Sequence, residues 1–207
     1  MEWGILIVVL LLLFTGFVIV QETAAQMHWR GLVQQGDLDA IRTLVETEID
    51  NWHTARVPKD TPSLLWHGVQ TVELLDVTAD AALVSCNADG EYAVVSGRRI
   101  ETSSPLSEGM KITMKIAEML LYDVPNVKLD RAQIDVYTSF RDQLGRAEPR
   151  CILSTMVERH MVEHIDWEET QATDFIALND GRFAANGEGL RPIEPLPWTT
   201  EDATKSN

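Results

Sequence analysis

A chain of 207 residues with 45% apolar and 24% charged residues has the length and balance of one folded domain, which excludes disorder as its main state. Seventeen Lys and Arg against thirty-two Asp and Glu leave a net charge of −15, and the only adjacent basic pair is Arg98-Arg99. Like-charge repulsion therefore argues against nucleic acid and anionic lipid headgroups as partners of the domain, and the acidity serves solubility first.

Residues 4–20 read GILIVVLLLLFTGFVIV, seventeen residues without a charge, bracketed by Glu2 and Glu22. A helix of that length covers about 25 Å, and Trp3 and Gln21 extend it close to the thickness of a bilayer's hydrocarbon core. Residues 1–21 are thus expected to form a transmembrane anchor that meets lipid through residues 4–20. Trp3 at one end and Trp29 and Arg30 beyond the other are the expected interfacial anchors. A cleaved signal peptide is the competing reading, encouraged by Ala24 and Ala25. No Lys or Arg precedes the run, however, and the run is longer than a signal core. Arg30 and Arg42 follow the span while nothing basic precedes it, so the domain is expected on the cytoplasmic side of a single-pass membrane protein.

Residues 22–35 read as a juxtamembrane linker and residues 36–193 as the acidic domain. Asp37 is the expected N-cap of a helix whose apolar face is Leu38, Ile41, Leu44, Val45, Ile49 and Trp52. Pro58 and Pro62 then stop regular structure. Four strands are expected at 69–77, 82–86, 91–95 and 98–102, joined as an antiparallel meander through Asp89-Gly90 and Ser96-Gly97. Cys86 and Cys151 fall in strands, with no metal-ligand spacing, and their pairing is left open.

Ser104-Pro105 opens the most apolar helix of the domain, closed by Pro125. Its polar stripe is narrow, formed by Glu108, Lys111, Lys115, Glu118 and Tyr122, so the helix must be mostly covered. Strands at 133–141 and 150–157 are expected to pair as a hairpin, and Asp166 with Glu169 predicts a capped final helix running to about Leu178. The tail, 194–207, is expected to be disordered.

The order helix, four strands, long helix, two strands, helix predicts an α+β domain: an antiparallel sheet with helices packed on it, behind an N-terminal transmembrane helix. The opening piece, an anchor followed by the helix begun at Gly36-Asp37-Leu38 and then strands, resembles membrane-tethered members of the nuclear-transport-factor-like group. That resemblance carries no specific motif, and no function follows from it.

The sharpest chemical pattern is His160-Met161-Val162-Glu163-His164, the His-x-x-Glu-His form of some zinc proteases. On a helix, His160 and His164 share a face and can share a zinc ion while Glu163 activates its water. In an extended segment they stand about 13 Å apart, too far for one ion, and solvated linker histidines are the simpler reading. Neither a phosphate-binding glycine loop nor a Gly-x-Ser-x-Gly elbow occurs, so no cofactor and no catalytic residue is assigned. The function expected is a single-pass, membrane-anchored accessory or scaffold domain binding another protein, as a subunit or assembly factor of a membrane complex would. The alternatives are a membrane-tethered metal-dependent hydrolase using His160, Glu163 and His164, and a small-ligand site between the long helix and the meander.

Overall fold

Asp37 starts the first helix of the domain, α1 (Leu38–Thr54), as its cap: its carboxylate accepts the backbone N–H groups of Asp39 and Ala40, both at 3.1 Å. The computed structural model describes Phe14, Thr15, Phe17, Met27 and residues 29–141, 144–186 and 189–198. The expected membrane span at 4–20 therefore lies outside the described residues except at three positions. Among the described residues, no helix is long and apolar enough to cross a membrane.

Within the stretch expected as a linker, residues 29–34 are helical and end at Gly36, whose φ of +73° is one that glycine adopts without strain. Of the three expected interfacial residues, Trp3 lies outside the described residues and Trp29 is half-buried. Arg30 donates from Nε to Asn126 Oδ1 at 2.9 Å, which ties this helix to the domain.

The protein is α+β, with several helices around a mixed sheet. After α1 come α2 (Ser63–Val69), β1 (Glu73–Val77), β2 (Ala81–Asn87), β3 (Glu91–Val95), β4 (Arg98–Ser103) and α3 (Pro105–Glu118). Then follow a π-helical turn (Met119–Asp123), β5 (Arg131–Arg141), β6 (Ala147–Glu158), α4 (Arg159–Val162), α5 (Ala172–Leu178), β7 (Arg182–Asn186) and β8 (Gly189–Arg191). The main sheet has six strands in the order β1-β2-β5-β6-β7-β8, while β3 and β4 form a separate two-stranded sheet.

Two expectations for the sheet are corrected. The wholly antiparallel sheet is instead mixed, because β2 and β5 pair in parallel from Ala81↔Arg131 to Asn87↔Tyr137. Parallel neighbours need a crossover long enough to return the chain to the starting end, and α3 supplies it. The four-strand meander also does not exist as one sheet: β1 and β2 join the main sheet, and the β3–β4 hairpin is inserted before the crossover helix. A further correction concerns 69–77, where α2 precedes the strand and carries the buried Trp66 and Val69.

Ser104 caps α3 by accepting the Ser107 N–H at 3.1 Å, with Pro105 in its first turn. The helix lies across the face of the sheet that presents Ile134 and Val136, and it shares the core with Phe175 and Ile176 of α5. Glu108, expected on the polar stripe, is only 4% exposed. It accepts the Ser103 hydroxyl at 2.5 Å and the Lys111 ammonium at 2.7 Å, so the buried carboxylate is paired with a cation that itself stays exposed.

Asp166 does accept the N–H groups of Glu168 and Glu169, as its capping signature requires, but they belong to a single turn. The final helix begins only at Ala172. Of the tail expected to be disordered, 194–207, residues 194–198 lie against the domain, as described below, and 199–207 lie outside the described residues.

Candidate functional site

The His-x-x-Glu-His segment falls on the one-turn helix α4 and the turn after it, where His160, Glu163 and His164 are all exposed. His160 Nδ1 lies 3.3 Å from Glu158 Oε2. Among the described residues, no group of three His, Cys, Asp or Glu side chains is placed to hold a metal ion. His160 and Glu163 do border an open recess of about 530 Å³ with Tyr122, Lys128, Asp130 and Arg159.

Arg159 organises that recess, and it faces the protein rather than a ligand. Its Nε donates to the Leu129 carbonyl at 2.8 Å, and an Nη donates to the Leu121 carbonyl in the π-helical turn. The guanidinium also lies 4.7 Å from the Tyr122 ring centre and 3.8 Å from Asp130. A helix end leaves carbonyls without intrahelical donors, and this cation answers them.

A second polar cluster lies on the opposite face of the sheet from α3. Asp135 accepts the Ser154 hydroxyl at 2.5 Å and the Gln133 side-chain amide at 3.3 Å. The segment 192–198 straps this cluster: Leu196 donates its N–H to Ser154 Oγ at 2.9 Å, and its carbonyl accepts from Gln133 Nε2 at 3.0 Å. Ile193 N–H bonds the Cys151 carbonyl, and the Trp198 indole donates to Asp76 Oδ2 at 2.8 Å. Asp76 in turn pairs with Arg42 of α1 at 3.0 Å. No histidine enters the cluster through any of these bonds, so it has the makings of a structural lock rather than an acid–base pair.

Burial pushes the Asp135 carboxyl above its ordinary range, against the opposing pull of its bonds from Ser154 and Gln133. A raised native pKa means that the folded state holds its proton more tightly than the unfolded state. The resulting stability is fully present below the unfolded carboxylate range and is lost as pH rises through the native pKa. Asp135→Asn is therefore expected to gain stability relative to the unsubstituted chain between pH 4 and pH 7. Urea unfolding of both proteins at each pH measures this, and a difference between them that does not change with pH would refute it. Cys86 and Cys151 are free and buried, and burial followed by the nearby Asp135 charge pushes the Cys151 thiol up to about 12. They are poor nucleophiles.

A groove of about 320 Å³ runs beside α3, with Met110 and Met114 on its floor, Trp167 and Gln171 on its far wall, and Lys111 and Lys115 at its rim. Both lysines are committed, to Glu108 and Glu118, each at 2.7 Å. The groove thus lies between the long helix and the α4–α5 connection, not between the helix and a meander.

The β3–β4 hairpin is the least integrated element. Ser96 and Gly97 both have positive φ, +52° and +76°, which is the geometry of a two-residue type I′ turn. Every residue of the ribbon from Glu91 to Thr102 is exposed except half-buried Ala93, and Val94, Val95 and Ile100 are 76%, 53% and 48% exposed. Arg99 stacks on Tyr92 with 3.9 Å to the ring centre. A lone two-stranded hairpin is marginal in water, and large apolar side chains exposed on both of its faces make it a candidate interaction site. The boundaries of these strands were readable in the sequence, but their exposure was missed. The available signal was that neither side of the ribbon is consistently apolar: Tyr92 and Val94 lie beside Arg99 and Glu101, and Ala93 and Val95 beside Arg98 and Ile100.

Compared with known proteins, the chain matches no family model, and no curated protein or solved structure is significantly similar to it.

Proposed function

We propose that this chain is a single-pass membrane protein, tethered by residues 4–20, whose acidic domain is an accessory module that binds another protein through the β3–β4 hairpin. The observation that carries this reading is the set of large apolar side chains, Tyr92 and Val94 on one face and Val95 and Ile100 on the other, that the hairpin holds in solvent, at a cost that burial in a complex would recover. The charge-free run of seventeen residues supports the tether, and the positive-inside bias supports a cytoplasmic domain. The polar clusters support a binding rather than a catalytic role, because their charged groups are spent on the fold itself.

Two measurements on the full chain test this. After an alkaline carbonate wash of membranes, the chain is expected in the pellet; its release into the supernatant would overturn the tether. A photo-crosslinking residue at Val94 is expected to yield a covalent protein adduct in those membranes, while the same residue at Glu46, on the exposed face of α1, yields none. Absence of an adduct at Val94 would overturn the binding role of the hairpin.

A further inference from the structure

We infer that β4 pairs with β4 of a second copy of this chain, antiparallel about a two-fold axis through Ile100, joining two hairpins into one four-stranded sheet. The inference rests on the hairpin being the binding element and names its partner.

In a hairpin with a two-residue turn, the pair flanking the turn is hydrogen-bonded and the pairs then alternate. Val95↔Arg98 and Ala93↔Ile100 are therefore hydrogen-bonded pairs, and Val94↔Arg99 and Tyr92↔Glu101 are not. It follows that Arg99 and Glu101 turn their N–H and C=O groups to the outer edge of β4, and no strand among the described residues pairs with that edge. Such an edge is a template for another strand.

Symmetry and charge then select the strand and the register. Residues directly opposite in an antiparallel pair point to the same face, so two copies related by a two-fold axis must pair residues whose numbers sum to an even value. Centring on Ile100 sets Arg99 opposite Glu101 of the second copy, and Glu101 opposite its Arg99. Both hydrogen-bonded positions of the new ladder then carry opposite charges. Shifting the centre to Arg99 or to Glu101 sets like charges face to face. β3 offers no such self-complementary pattern, since Glu91 is its only charged residue. In the register about Ile100, the two Ile100 side chains meet as a non-hydrogen-bonded pair, the closer of the two spacings, and exposed apolar area is covered on both copies.

The test uses the full chain in detergent micelles. Ile100→Cys is expected to form a disulfide-linked dimer under mild oxidation. Tyr92→Cys, which is on the strand farther from the axis and about 16 Å from its own copy, is not. Arg99→Glu and Glu101→Arg are each expected to weaken dimerisation measured by sedimentation about tenfold, and the double variant to restore it. Thermal unfolding of these variants is expected to be unchanged, because the substituted side chains lie outside the core. Failure of the double variant to recover, or linkage at Tyr92 as efficient as at Ile100, would overturn the register. The Val94 adduct separates the two readings: a mass of twice the chain supports self-pairing, whereas an adduct with a different protein leaves the binding role standing and overturns this inference. No adduct overturns both.

Discussion

Replacing Arg159 with alanine is expected to destabilise the domain by about 3 kcal/mol, because it removes one cation that serves three parts of the fold at once. Its Nε–H and an Nη–H reach the carbonyls of Leu129 and Leu121, on the two sides of the turn that leads from α3 into β5. Each hydrogen bond from a charged donor contributes about 1.5–3 kcal/mol, and a carbonyl left without a donor where water cannot replace it bears the desolvation penalty in full. The contact with Tyr122 adds apolar cover to the same joint. The ion pair with Asp130 contributes less, since that carboxylate is 58% exposed. Arg159→Lys is expected to recover only part of the loss, because a single ammonium cannot present a planar fork to two carbonyls. Thermal unfolding decides the matter. A loss for Arg159→Ala below about 1 kcal/mol would show that the carbonyls find water instead. Full recovery by lysine would show that charge alone matters.

Arg159 adjoins the His-x-x-Glu-His motif, yet the carbonyls it serves lie 30 and 38 residues away, beyond the reach of a local pattern. Local signals were read correctly wherever one segment's own chemistry decided its structure. Asp37 and Ser104 cap the helices they were expected to cap, and the Ser96-Gly97 turn joins strands whose ends were placed within a residue. The 133–141 and 150–157 strands do pair as a hairpin. Relations between distant segments were not legible. The parallel pairing of β2 with β5 joins residues fifty apart and depends on how α3 packs, which no local pattern encodes. Pro192, Pro195 and Pro197 looked like the start of a disordered end because proline breaks regular structure. The strap, however, uses the N–H groups of Ile193 and Leu196 and the indole of Trp198, which lie between the prolines or just past them. Gln133 and Asp135 alternate with Ile134 and Val136, so they read as a solvent face, and only the strap reverses that assignment. In the candidate site, the strands and the turn of the hairpin were visible and its lack of a covering layer was not, since exposure is a property of the whole fold.

Substitution at Gly68 is expected to be the other severe change, and its cause is a close approach rather than backbone conformation. Gly68 sits in α2 where that helix crosses α3, and a Cβ added there would stand 2.2 Å from Ile112 Cδ1, 2.7 Å from its Cγ1 and 3.2 Å from its Cγ2. All three atoms belong to one side chain that is 1% exposed, so moving its tip alone does not make room. Small residues let helices pack closely, and overfilling a packed core costs about 1–3 kcal/mol. Gly68→Ala is expected to lie at the upper end of that range despite the better helix propensity of alanine, which returns only about 1 kcal/mol. Gly68→Val adds two further methyl groups to the same space and is expected to prevent folding. The cause can be isolated by a second substitution, because Ile112→Ala empties the space that the new Cβ needs. Alone, Ile112→Ala costs about 2–5 kcal/mol through the cavity it leaves. Combined with Gly68→Ala, it is expected to cost less than the sum of the two single effects, since each change relieves the other. Strictly additive losses in urea unfolding would mean that the two positions do not compete for one space, and the close packing of α2 on α3 would lose its role as the reason for glycine at position 68.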